Sequence, residues 1–105
     1  MTIGRLKIFD DISKERDSQD AKWGVQNWPI RNEAVTIRYA ESMRECMQTL
    51  CDSAAKDGNV SFQHILEEEV SEVFAEIDPV KQRAELLHVA AVAVQMIEKI
   101  DRDNA

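Results

Sequence analysis

The stretch "LEEEVSEVFAEIDPVKQRAELLH", residues 66–88, decides the fold. Leu66, Val70, Val73 and Ile77 recur at helical spacing and predict a helix from about Phe62 to Ile77, capped by Ser61, that turns one face to a core. Asp78-Pro79 then supplies an N-cap and the proline favoured in a first turn, so a further helix starts at once and runs to about Arg102. Two helices joined by essentially no loop form a tight antiparallel hairpin. Glu69, Glu72 and Glu76 lie immediately beside the apolar stripe, where a solvated helix face has no need to crowd like charges.

The hairpin allows heights to be matched across the pair. Glu72 lies six residues before Asp78 and Glu85 six after Pro79, so both stand about 9 Å from the turn at a rise of about 1.5 Å per residue. Glu69 and His88 are each nine residues from it, at about 13–14 Å. Within each helix the two residues are three apart and share a face. Glu69, Glu72, Glu85 and His88 are therefore expected on one patch. Uncompensated carboxylates this close repel one another, and a divalent cation relieves the repulsion. Oxygen ligands with room for water suit Mg²⁺ or Mn²⁺. The competing reading is a solvated acidic face, with Lys81, Arg83 and Lys99 near enough to pair with some of the acids.

Outward from the hairpin, two more helices are expected. One, from about Thr2 to Lys22, carries Ile3, Leu6, Phe9 and Ile12 on one side and has a very polar second half. The loop "WGVQNWPIR" follows, marked by Gly24 and Pro29. The other, from about Asn32 to Lys56, sets Ala40, Met43, Met47, Leu50 and Ala54 at alternating spacings of three and four, the seam of a bundle helix, and "DGN" ends it. The last helix is apolar almost all round through Leu86–Ile97, so it is expected centrally buried, with a second subunit completing its cover. Leu87 and Val94 are expected at a packed surface. The fold class is all-α, four-helix bundle-like and dimeric.

The 105 residues suit one domain with a single core, and the low counts of glycine and proline, three and two, suit a mostly helical chain. A net charge of -7 disfavours non-specific binding of nucleic acid. The start, "MTIGRLKIFDD", has no signal-peptide pattern, and the tract "LLHVAAVAVQMI" is too short to span a bilayer. No membrane and no nucleic-acid partner are expected. Cys46 and Cys51 fall five apart on one helix, turned roughly 140° from each other, and read as reduced thiols of a cytoplasmic protein.

The pattern "EEVSE" (68–72) followed after twelve residues by "ELLH" (85–88), with "QDAKWGVQNWP" upstream, resembles the MazG-like all-α nucleoside triphosphate pyrophosphohydrolases, especially small bacterial and phage members. The likeness covers residues 16–28 and 61–102 and leaves the second helix largely out. The family motif is EExxE on one helix and ExxD on the next. The resemblance implies that Glu69, Glu72 and Glu85 hold Mg²⁺, with His88 where the family has an aspartate; Glu68 matches the outward first glutamate. A neutral imidazole is a softer, uncharged ligand, which weakens the fit to Mg²⁺ and favours Mn²⁺.

The implied reaction hydrolyses a nucleoside triphosphate, or a related nucleotide, to monophosphate and pyrophosphate, with Glu69 or Glu72 as the carboxylate that orients water or takes its proton. Trp23, Gln26, Asn27 and Trp28 offer stacking and amide hydrogen bonds for a base, and Lys22, like Arg16, Lys81 and Arg83, a phosphate contact. Tryptophans flanking a glycine turn also serve as plain anchors of a loop. The alternative function is a non-catalytic nucleotide-binding or interaction protein that kept the scaffold and lost the full metal set at His88. A third is a purely structural helical dimer in which the glutamates only confer solubility. Metal-dependent turnover separates the first from the other two.

Overall fold

The computed structural model describes residues 2–32 and 36–105. The chain is all-α: among the described residues there are four helices and no strand. They are α1 (Ile3–Trp23), α2 (Ile37–Lys56), α3 (Phe62–Ala75) and α4 (Pro79–Asp103). None is long and apolar enough to cross a membrane. Two compact units can be distinguished, one of Met1–Ile30 with Val94–Ala105, the other of Arg31–Ala93.

In the first unit, Thr2 caps α1 by accepting from the Arg5 backbone N–H at 3.1 Å, and the polar second half is laced by pairs four apart, Lys14–Asp10 at 2.8 Å and Arg16–Asp20 at 2.9 Å. The expected stripe is corrected here: Ile3, Leu6, Phe9 and Ile12 stay exposed, and Ile8 is the buried residue of the helix. Gly24 ends α1 at φ 68, which a glycine adopts without the steric cost of a Cβ. The last turns of α4 belong to this unit, and Arg5 pairs with Glu98 at 3.3 Å.

In the second unit, α2 begins later than expected. Asn32 is outside the helix, residues 33–35 lie outside those described, and Thr36 is the cap, accepting from the Tyr39 N–H at 3.2 Å. Ala40 and Ala54 of the expected seam are buried, whereas Met43 and Leu50 are exposed. The C-terminus closes in a Schellman arrangement, with Asn59 N–H bonded to Ala54 O at 2.9 Å, Gly58 N–H to Ala55 O at 3.1 Å, and Gly58 at φ 75. Gly58 supplies the left-handed residue that turns the chain back into α3, and α2 packs on α3.

A capping box starts α3: Ser61 Oγ accepts from the His64 N–H, and His64 Nδ1 accepts from the Ser61 N–H at 3.1 Å. The helix stops at Ala75, two residues short of expectation. Arg31 explains the stop, because its Nε and Nη2 donate to the carbonyls of Phe74 and Glu76 at 2.9 and 2.7 Å and so satisfy acceptors the helix leaves open. Ile77 is consequently exposed rather than facing a core, while Val73 is buried to 2%. Asp78 caps α4 as expected, its carboxylate accepting from the Lys81 N–H at 3.4 Å. Along α4, Val92 and Val94 are buried, but Leu86, Leu87, Ile97 and Ile100 remain exposed in the single chain.

Candidate metal centre

Cross-helix contacts between α3 and the first turns of α4 fix the register of the hairpin. Gln82 Nε2 donates to Val73 O at 3.1 Å, close to the turn. The Glu72 and Glu85 carboxyl groups face each other one turn further along. Beyond them His88 Nδ1 stands 3.8 Å from Glu69 Oε2 and 3.3 Å from Glu85 Oε2. One ligand atom each from Glu69, Glu85 and His88 lies within 4.8 Å of the others. Glu72 is joined to that group through Glu85. The four side chains matched by height in the sequence are thus neighbours in space.

The electrostatics of the patch are those of crowded acids. Burial, first, then the facing Glu85 carboxyl and the negative charges of Glu69, Glu85 and Glu68 push the Glu72 carboxyl up from its ordinary 4.5 to about 7. Glu69 Oε2 is buried without a hydrogen-bond partner, an arrangement that costs free energy unless a cation or donor faces it. The Glu69 and Glu85 side chains are 24% exposed and His88 is 59% exposed, so the patch grades from a half-buried acidic floor to an open imidazole rim. One ligand atom each of Glu69, Glu85 and His88 could share a divalent cation, with Glu72 reaching that group through Glu85. The His88 imidazole suits Mn²⁺ better than Mg²⁺.

Glu68, on the next position of the wheel, is turned to α2 and the Cys51 thiol, and the two groups act on each other. The Glu68 carboxylate first, then burial and the Asp52 charge, push the thiol up to about 11. Cys46 and Cys51 are both free.

In the other unit, Trp23, Gln26, Asn27 and Trp28 line one shallow cavity of about 310 Å³ together with Val25. The Lys22 ammonium lies over the Trp23 ring, 4.7 Å from its centroid. Trp28 is 76% exposed, so it is not a buried anchor within this chain. Arg16 is engaged with Gln19 at 2.7 Å and with Asp20.

Two features escaped the sequence reading. Arg31 contacts residues more than forty positions away, and no local pattern marks it. An apolar groove of about 620 Å³ between α2 and α3 is lined on α2 by Tyr39, Ala40, Met43 and Met47, the last three of them members of the expected seam. Compared with protein-family models, curated proteins and solved structures, the chain matches none.

Proposed function

We propose that the protein is a metal-dependent nucleoside triphosphate pyrophosphohydrolase, releasing a nucleoside monophosphate and pyrophosphate. The observation that carries the reading is the clustering of Glu69, Glu85 and His88 from two helices, with the Glu72 carboxyl beside them. When bound, Mg²⁺ or Mn²⁺ neutralises the triphosphate and polarises the phosphorus under attack. Glu69 and Glu85 hold the cation between α3 and α4. Glu72, beside Glu85 on the facing helix, is the carboxylate that would orient water and take its proton. Water adds to the α-phosphorus, its proton passes to Glu72, and the bond to the bridging oxygen breaks to release pyrophosphate. The exposed Trp23 and Trp28 rings with the Gln26 and Asn27 amides offer a face for a nucleobase, and Lys22 offers a phosphate contact.

The assembly that goes with this reading is a four-helix bundle-like protomer in a homodimer or higher homo-oligomer, acting in the cytoplasm. Exposed Leu86, Leu87, Ile97 and Ile100 on α4 support a second copy, since a single chain leaves them in water.

His88 supports a second reading. Its imidazole, 3.3 Å from Glu85, is a counter-ion to the acids once protonated, and that role needs no metal. On that reading the protein binds nucleotide without turnover. A panel of ribo- and deoxyribonucleoside triphosphates with Mg²⁺ and with Mn²⁺, products resolved as pyrophosphate or phosphate, separates the two. Metal-dependent pyrophosphate release, lost in Glu69→Gln, supports hydrolysis; nucleotide binding without release supports the second reading.

A further inference from the structure

Beside the tryptophan segment lies a second cavity of different chemistry. Gly24, at φ 68, ends α1 with its N–H bonded to Asp20 O at 2.8 Å. The chain turns there so that Val25 and Gln26 border a space of about 340 Å³ together with Arg16, Gln19 and Asp20. Val25 and Gln26 also line the cavity of about 310 Å³ that holds Trp23, Asn27 and Trp28, so the two spaces adjoin. One is walled mainly by aromatic rings and amides, the other by a carboxylate, a guanidinium and amides. All of these residues belong to the Met1–Ile30 part of one compact unit.

The polar cavity suits a neutral hydrogen-bond donor. Arg16 Nη2 donates to Asp20 Oδ1 at 2.9 Å, and Arg16 Nη1 donates to Gln19 Oε1 at 2.7 Å. These bonds hold the Asp20 carboxylate at the cavity and offset its charge, and they leave Oδ2 without a donor among the described residues. An ionised carboxylate only accepts, so its open oxygen calls for O–H or N–H groups. A phosphate there meets the Asp20 charge, and the Arg16 charge is already engaged with that acid. A pair of hydroxyl groups meets no such repulsion. A nucleoside joins an aromatic base directly to a sugar with vicinal hydroxyls, the same adjacency as the two cavities.

We propose that Asp20, held by Arg16, reads the ribose 2′- and 3′-hydroxyls of a nucleotide whose base lies against the tryptophan segment, so that ribonucleotides are selected over deoxyribonucleotides. The sugar selectivity rests on the nucleotide reading above and deepens it. A carboxylate that accepts from ribose hydroxyls is a recurrent mode of ribose recognition. A site that hydrogen-bonds a hydroxyl also discriminates against the analogue lacking it, because the polar group is then left unpaired.

The chain has two tryptophans, Trp23 and Trp28, so its intrinsic fluorescence reports on this segment directly. The metal-free protein is titrated with adenosine, guanosine, cytidine and uridine, and with their 2′-deoxy and 3′-deoxy forms. Ribonucleosides are expected to change the emission saturably, and both deoxy forms to bind at least about tenfold more weakly. Asp20→Ala removes an exposed ion pair within one helix, which costs the fold little. It is expected to abolish the discrimination and leave the affinity for the deoxy forms unchanged. Asp10→Ala breaks the matching pair with Lys14 on the same helix and is expected to keep the discrimination. Equal affinity of the wild type for ribonucleosides and deoxyribonucleosides overturns the inference and leaves the base face standing. Discrimination that survives in Asp20→Ala overturns the role given to Asp20. No response to any nucleoside at millimolar concentration overturns the inference together with the base face. Neither metal, phosphate nor turnover enters these readouts, so failure of the hydrolase reading is told apart from failure of this one.

Discussion

At the scale of single residues the account turns on Glu72 and His88. The folded protein keeps a proton on Glu72 up to about 7, whereas the unfolded chain loses it near 4.5. Between those values the folded state binds more protons, so the stability of the metal-free protein falls as pH rises through that window and levels off above it. Melting temperatures measured from pH 4.5 to 8 should decline accordingly, with a smaller decline in Glu72→Gln. A cation that requires the ionised patch reverses the trend, and Mn²⁺ should raise the melting temperature more at pH 8 than at pH 5.5. His88→Asp supplies a fourth carboxylate next to Glu69 and should strengthen the Mg²⁺-induced rise and increase Mg²⁺-dependent pyrophosphate release. Unchanged metal response in a folded His88→Asp protein would place His88 outside the ligand set.

At the scale of helices and turns, the ends are set by specific hydrogen bonds. Ser61→Ala removes half of the capping box and should destabilise the protein by about 1 kcal/mol in a denaturant titration. Arg31→Ala strands the Phe74 and Glu76 carbonyls, and loss of the charged hydrogen bonds should cost about 1.5 kcal/mol, the lower end of the usual range because the site is partly open. These two caps also mark what could be read in the sequence. Ser61, Asp78 and Pro79 act within four residues of themselves, so the starts of α3 and α4 and the register of their hairpin were legible. The end of α3 was not, because the residue that closes it is Arg31, far off in the chain. The α1 stripe misled for a related reason: Ile8 is covered by tertiary packing, whereas Ile3, Leu6, Phe9 and Ile12, equally apolar and regularly spaced, are not. Periodicity reports which faces could be buried, and packing chooses among them.

At the scale of the whole molecule, the acidic patch lies on one side of the α3 helix and an apolar groove on the other. The patch residues were legible in the sequence because hairpin geometry converts residue counts into heights. The tryptophan segment was legible as a cluster, since it is contiguous and lines one cavity, but its place in the chemistry rests on activity measurements. Everything in the functional account depends on the patch holding a divalent cation. The most direct measurement is calorimetric titration of the protein with Mn²⁺ at pH 8, where Glu72 is ionised, beside a folded Glu69→Gln variant. The account predicts saturable binding by the wild type and an affinity at least about tenfold lower in the variant, a difference of about 1.4 kcal/mol. Equal affinity in the two proteins, or no binding by the wild type, would contradict it.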